Sequence, residues 1–132
     1  MIEVCDTFGL RMCLDLSHAK LYTNATGSDY WEYLRRLAPY AAHLHVADAY
    51  GIDGEGVQIG EGEVDFAKAF ALLDDAGDLA SMSWTPEIWQ GHLHQNQGFL
   101  IALERLAAIP ELRPTWPSDP RRSPDDVSAE VA

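Results

Sequence analysis

Three pairs of polar side chains recur along the sequence, each at the end of an apolar segment. In chain order they are Asp15 with His18, His45 with Asp48, and Glu87 with His92. Two carboxylates and an imidazole are suitable ligands for a divalent cation such as Mn²⁺, Mg²⁺, Co²⁺ or Zn²⁺. The sequence predicts such a metal site from Asp15, His45 and Glu87, provided that the three segments are strands whose carboxyl ends meet.

Each of these residues also has a simpler explanation when it is taken alone. Asp15 could cap a turn, His45 could be a buried, hydrogen-bonded histidine, and Glu87 could be solvated. Their repetition at three successive strand ends favours the metal site. His18 either supports a metal ligand or contacts the substrate, or it is a polar residue that opens a loop. His43 shares a strand face with His45 but lies one layer deeper, so we expect it to pack in the interior.

The elements that must position these residues follow from the apolar pattern. Strands are expected over 11–16, 41–47 and 79–88, and helices over 30–37, 66–73 and 99–106, the first two capped by Asp29 and Asp65. This alternation predicts an α/β fold in which parallel strands are joined by right-handed helical crossovers. A closed parallel barrel needs eight strands and about 250 residues, so three units form at most part of one. Preceding residues, another chain, or a smaller open fold could each explain the difference.

Loop residues complete the candidate site. The glycine-rich segment 51–62 lacks the lysine of a phosphate-binding loop and is acidic, so it either carries Glu55 toward the site or is a plain mobile connection. Asp48 and Glu55 are candidates for supporting a ligand or contacting substrate. Trp89 and His92 are expected to shape the mouth of the pocket.

Composition limits the classes of function. The 132 residues carry a net charge of -12, which disfavours nucleic-acid binding. No apolar stretch approaches the roughly 20 residues of a membrane span, so the cytoplasm is the expected compartment. Cys5 and Cys13 are expected to be reduced and packed. Residues 1–109 are predicted to form the folded unit, and the proline-rich residues 110–132 a disordered tail.

Three motifs together resemble the xylose isomerase-like TIM barrels, which include sugar isomerases, sugar epimerases and type IV apurinic endonucleases. They are Leu-Asp-Leu-Ser-His at 14–18, His-Leu-His-Val-Ala-Asp at 43–48 with Ile-Gly-Glu-Gly-Glu-Val-Asp-Phe at 59–66, and Pro-Glu-Ile-Trp at 86–89. Their order and spacing match the last three strands of that barrel. The resemblance therefore implies that residues 1–109 are the C-terminal part of such a barrel.

The resemblance also implies roles for individual residues. Asp15, His45 and Glu87 would bind the metal together with a glutamate from an earlier strand, and His18 would contact the substrate. Glu87 would be one of two glutamates that exchange the proton next to a carbonyl, through an enediolate. The second glutamate would precede this sequence, so the isolated chain could be inactive.

The implied function is that of a metal-dependent isomerase or epimerase of a sugar or sugar phosphate. An alternative is a non-catalytic accessory module that docks on a partner such as a sialic-acid-type sugar synthase. An apurinic endonuclease fits less well, because the loop after His45 offers Asp53 and Glu55 but no further histidine. A homo-oligomer or a partner chain would complete the barrel, and neither nucleic acid nor a membrane is expected as a partner.

Overall fold

A computed structural model describes residues 1–115 of the chain. Its helices and strands, in chain order, are α1 (Ile2–Phe8), β1 (Met12–Asp15), α2 (Leu16–Thr26), α3 (Tyr30–Leu37), β2 (Ala41–Val46), β3 (Asp48–Tyr50), β4 (Gly54–Val57), α4 (Phe66–Ala76), β5 (Ser83–Pro86) and α5 (Leu93–Ala107). Short 3₁₀ helices lie at Ala38–Tyr40, Leu79–Ser81 and Pro110–Thr115. None of the helices in these described residues is long and apolar enough to cross a membrane.

Strands β1, β2 and β5 form a parallel sheet with β2 in the centre. Asp15 of β1 pairs with His45 of β2, and His45 pairs in turn with Thr85 of β5. Helices connect the strands, so the predicted parallel α/β architecture is confirmed. Within residues 1–115 the sheet does not close, and the fold is a partial barrel.

The two faces of this sheet have different surroundings. Leu14, Leu44 and Val46 point to the face covered by the helices, where each is at most 4% exposed. Because strand side chains alternate between faces, Cys13 and His43 point to the opposite, uncovered face. That uncovered face corresponds to the interior of a complete barrel.

The helices that cover the sheet begin where the sequence predicts. The Asp29 carboxylate accepts a hydrogen bond from Glu32 N at 2.7 Å at the start of α3, and Asp65 accepts one from Lys68 N at 3.0 Å at the start of α4. Each bond satisfies a backbone donor that has no partner within its helix. Phe70 of α4 lies at the centre of the core with no exposed surface.

Two helices and a hairpin were not predicted. Helix α2 starts directly after β1, but its buried positions include Ser17 and Thr23, so it lacks a clear apolar stripe. Helix α1 buries only Cys5. The start of the glycine-rich segment forms the turn and the second strand of an antiparallel hairpin of β3 and β4, and the turn uses Gly51 with φ of 62°.

The expectation that both cysteines are packed differs from the structure. Cys5 is buried, but Cys13 is exposed, because no further strand of the described chain covers the face of β1 from which it projects. Leu112 of the Pro110–Thr115 helix, which follows the boundary predicted after residue 109, has no exposed surface. The rest of the predicted tail, residues 116–132, lies outside the described residues.

Candidate metal centre

The register of the parallel sheet brings the three predicted ligands together. Asp15 is the last residue of β1 and pairs with His45 near the end of β2. Glu87 follows β5 directly, and its backbone N–H donates to Val46 O at 3.1 Å, which continues the β2–β5 ladder by one residue. All three side chains therefore project from the carboxyl edge of the sheet.

The side chains of these residues are in contact. His45 Nδ1 lies 2.7 Å from Glu87 Oε2 and 3.6 Å from Asp15 Oδ2. One ligand atom from each of Asp15, His45 and Glu87 lies within 4.8 Å of the others. The side chains are 18%, 35% and 56% exposed respectively, so the cluster can be reached from solvent.

The chemistry of this donor set fits a divalent cation. Two carboxylates supply hard oxygen ligands and negative charge, and a neutral imidazole supplies one nitrogen ligand. The contacts between His45 and the two carboxylates already hold the donor atoms close together.

His18 lies beside this cluster in the first turn of α2. Asp15 caps the helix by accepting from His18 N at 2.9 Å, and its second oxygen lies 2.7 Å from His18 Nδ1. The other ring nitrogen, Nε2, lies 2.8 Å from Glu55 Oε2. Hydrogen bonds to Asp15 and then to Glu55 raise the pKa of His18, because both favour the doubly protonated ring. His18 therefore opens a helix and not a loop.

The hairpin places Glu55 next to His18. Gly56 has φ of 64°, and a Cβ there would lie 3.1 Å from Trp89 N. This close approach allows Trp89 N to donate to Gly56 O at 2.8 Å, while Gly56 N donates to Ser17 Oγ at 3.3 Å. The strand that carries Glu55 is thus hydrogen-bonded on one side to α2 and on the other to the segment after β5.

Asp48 anchors the loop after this hairpin. Its carboxylate has no exposed surface and accepts four backbone N–H groups, from Ala49 and Val64 at Oδ1 and from Gly60 and Gly62 at Oδ2, at 2.9 to 3.0 Å. A Cβ on Gly62 would lie 2.4 Å from both Ala49 O and Asp48 Oδ1. These contacts use both carboxylate oxygens, so Asp48 holds the loop in place and lies outside the cavity.

Glu63 attaches the same loop to α2. It accepts from Asn24 Nδ2 at 2.9 Å and from Gly51 N at 3.2 Å, and it lies 3.7 Å from Lys20 Nζ. The hydrogen bond from Asn24, followed by that from Gly51, lowers the pKa of Glu63 because both stabilise the carboxylate.

A cavity of about 420 Å³ lies over the cluster. The predicted site residues that line it are Asp15, His18, Glu55, Glu87, Trp89 and His92. Trp89 is 71% exposed and lies at the rim. Ser17, Gly56 and Gln90 also line the cavity but were not predicted to do so. Of these, Gly56 had a sequence signal, since a glycine next to a candidate acidic residue suggests close approach of the backbone.

The fold and this cluster define the class of protein. Parallel strands with helical crossovers and polar groups converging at their carboxyl ends are the arrangement of TIM-barrel enzymes, here present as a partial barrel. The chain belongs to the xylose isomerase-like TIM barrel family, whose sequence profile matches residues 1–109. No curated protein and no solved structure matches the chain.

Proposed function

We propose that the chain carries the metal-binding part of a sugar isomerase or epimerase active site. The observation that supports this most directly is the contact of His45 with Glu87 and Asp15, two residues that line the open cavity. The family includes sugar-processing enzymes, and the two free cysteines suit the reducing cytoplasm that the sequence predicts.

In this proposal Glu87 is the base that moves the proton next to the substrate carbonyl. His45 holds Oε2 of Glu87 at 2.7 Å, and Oε1 makes no hydrogen bond to the described residues, so one oxygen is available to take the proton. A divalent cation held by Asp15, His45 and Glu87 would polarise that carbonyl and stabilise the negative charge of the enediolate. A base on the opposite face would come from a barrel strand other than β1, β2 and β5, as the resemblance implies.

His18 would position the substrate. Its raised pKa favours the ring with both nitrogens protonated, and Nε2 faces the cavity through its contact with Glu55. A substrate hydroxyl that accepts from Nε2 would take the place of Glu55, and the ring would stay oriented by Asp15 at 2.7 Å. Glu55 would then be free to accept from another hydroxyl.

The cavity lining favours a neutral sugar over a phosphate group. Among the described residues that line it, three are carboxylates and none is lysine or arginine. A phosphate in contact with this lining would meet three carboxylates and would find no lysine or arginine to donate to it. Any phosphate on the substrate would have to lie toward the part of the barrel beyond these strands.

A calorimetric Mn²⁺ titration of the full chain tests the metal site without requiring turnover. Saturable binding that is lost in Glu87→Gln and in His45→Ala would support the proposal. Glu104→Gln is a matched control, since Glu104 is exposed on α5 and should bind as the parent does. Circular dichroism must show that each variant is folded. Unchanged Mn²⁺ affinity in folded Glu87→Gln would overturn the assignment.

A non-catalytic module that docks on a partner is the second candidate. It is favoured by the two outer strands of the sheet, since neither β1 nor β5 has a further neighbour within residues 1–115. Such edges present unpaired backbone groups that another chain can pair with. A folded chain that binds no Mn²⁺ alone, but sediments as a larger species with a chain that completes the barrel, would favour this function.

A further inference from the structure

A second group of ligand-type side chains lies on the uncovered face of the sheet, one layer below the carboxylates. Cys13 of β1 pairs in register with His43 of β2, and His43 pairs with Ser83 of β5. One ligand atom from each of Cys13, His43 and His45 lies within 4.8 Å of the others. The group therefore combines the thiol of Cys13 and the imidazole of His43 with the imidazole of His45, which lies in the layer above.

The hydrogen bonding of His43 orients it as a ligand. His43 Nδ1 lies 2.7 Å from Ser83 Oγ, and that hydroxyl donates its own proton to Ala42 O at 3.5 Å. In the tautomer that carries its proton on Nδ1, the ring donates to this hydroxyl oxygen and the lone pair of Nε2 is available to a metal. A metal-binding histidine typically has its second nitrogen held in this way.

The ring of His43 lies next to the ring of His45. The His43 and His45 ring centroids are 5.4 Å apart and the rings are nearly perpendicular, at 88°. Cys13 is a free, exposed thiol, so an ion can reach it from solvent. The sequence predicted only a packing role for His43, because strand alternation shows which face it occupies but not that the face is uncovered.

We propose that Cys13, His43 and His45 form a second metal site, selective for a thiolate-binding transition ion of the Zn²⁺ class. A thiolate with two imidazoles favours Zn²⁺ or Co²⁺ over Mg²⁺ and Mn²⁺, which prefer oxygen ligands. Burial, followed by the negative charges of Asp15 and Glu87, raises the pKa of the Cys13 thiol, and the same negative charges would attract a cation. This site goes beyond the proposed isomerase function and shares only His45 with it.

Co²⁺ titration of the full chain tests this site, since a cobalt–thiolate bond gives a charge-transfer band in the near ultraviolet. The band should appear with one-to-one stoichiometry and disappear when Zn²⁺ is added. It should be absent in Cys13→Ser and retained in Glu87→Gln. Absence of the band in the folded parent, or its persistence in Cys13→Ser, would refute the second site.

Two further variants test the orientation argument. His43→Gln removes a proposed ligand and should weaken Co²⁺ binding by at least about tenfold. Ser83→Ala removes the hydroxyl that orients His43 and should weaken binding by about tenfold, the usual effect of losing such a group. Unchanged affinity in both would show that Cys13 binds the ion without His43, and the proposed site would be wrong.

A measurement on the unmodified chain covers the case in which variants fail to fold. Zn²⁺ should protect Cys13 from alkylation, as read by peptide mass spectrometry, while buried Cys5 reacts slowly with or without the ion. Equal alkylation of Cys13 in both conditions would contradict the proposal. Because Mn²⁺ binding should survive Cys13→Ser, failure here is distinguishable from failure of the proposed isomerase site.

Discussion

Replacement of Asp48 by asparagine should destabilise the protein more than any other single-atom change in the β3–β4 region. The asparagine side chain would keep one carbonyl oxygen, which can accept from two of the four backbone N–H groups that now bond to the carboxylate. The side-chain NH₂ group of the asparagine would face the other two backbone N–H groups, so that hydrogen-bond donors point at each other. Asp48 has no exposed surface at this position.

The expected loss follows from these lost contacts. A hydrogen bond to a charged group contributes about 1.5–3 kcal/mol, so two of them give about 3–6 kcal/mol before relaxation. The loop that contains Gly60 and Gly62 is exposed, so solvent can reach part of it. This access reduces the expected loss of stability. We expect a loss of about 3–5 kcal/mol, a large fraction of the about 5–15 kcal/mol typical of a folded domain.

Urea denaturation followed by far-ultraviolet circular dichroism measures this loss. Asp53→Asn is the matched control, because it makes the same change on an exposed residue of the same hairpin and should alter stability by less than about 0.5 kcal/mol. A loss below about 1 kcal/mol in Asp48→Asn, with an unchanged urea dependence, would refute the loop-anchor role.

Three other changes test separate contacts. Gly62→Ala should lower the free energy of unfolding by about 3 kcal/mol, because a Cβ has no room there. Gly60→Ala should lower it by about 1–2 kcal/mol, because Gly60 lies in open space but has φ of 80°. Equal shifts of the melting temperature in the two variants would contradict this. Glu63→Gln should lower stability at neutral pH but not in acid. Because folding lowers the pKa of Glu63, the stabilisation from its carboxylate is present above the ordinary pKa of 4.5 and is lost as the pH falls through the folded pKa. A difference between the urea midpoints of Glu63→Gln and the parent that does not change with pH would contradict this. Leu44→Ala, at the centre of the sheet, should cost about 2–5 kcal/mol, against little change for Leu100→Ala at a site 60% exposed, both measured by urea denaturation.

Much of the sheet was predictable because its strands have local patterns. The β2 strand was predicted to within a residue at its carboxyl end, since apolar and histidine positions alternate along it. The β5 strand is shorter than expected, because a 3₁₀ turn at Leu79–Ser81 occupies the start of the same apolar segment. Helix α2 was missed because its buried face includes small and polar residues.

The predicted roles in the site depended differently on the fold. The sequence alone identified strand ends bearing Asp15, His45 and Glu87, and parallel topology then requires that they meet. It did not distinguish Glu55, which lies 2.8 Å from His18, from Asp48, which is buried beneath a loop, since both are acidic residues after the same strand. Only the hairpin geometry separates them.

The sequence by itself therefore determined the parallel α/β class, the capped helices α3 and α4, and the acidic and histidine residues at the strand ends, because each follows from periodicity or from neighbouring residues. Tertiary structure decided that Cys13 and His43 lie on an uncovered face and that Glu55 reaches His18. Those facts depend on contacts between residues distant in sequence, and such contacts are fixed only when the strands are in register and the hairpin packs against α2.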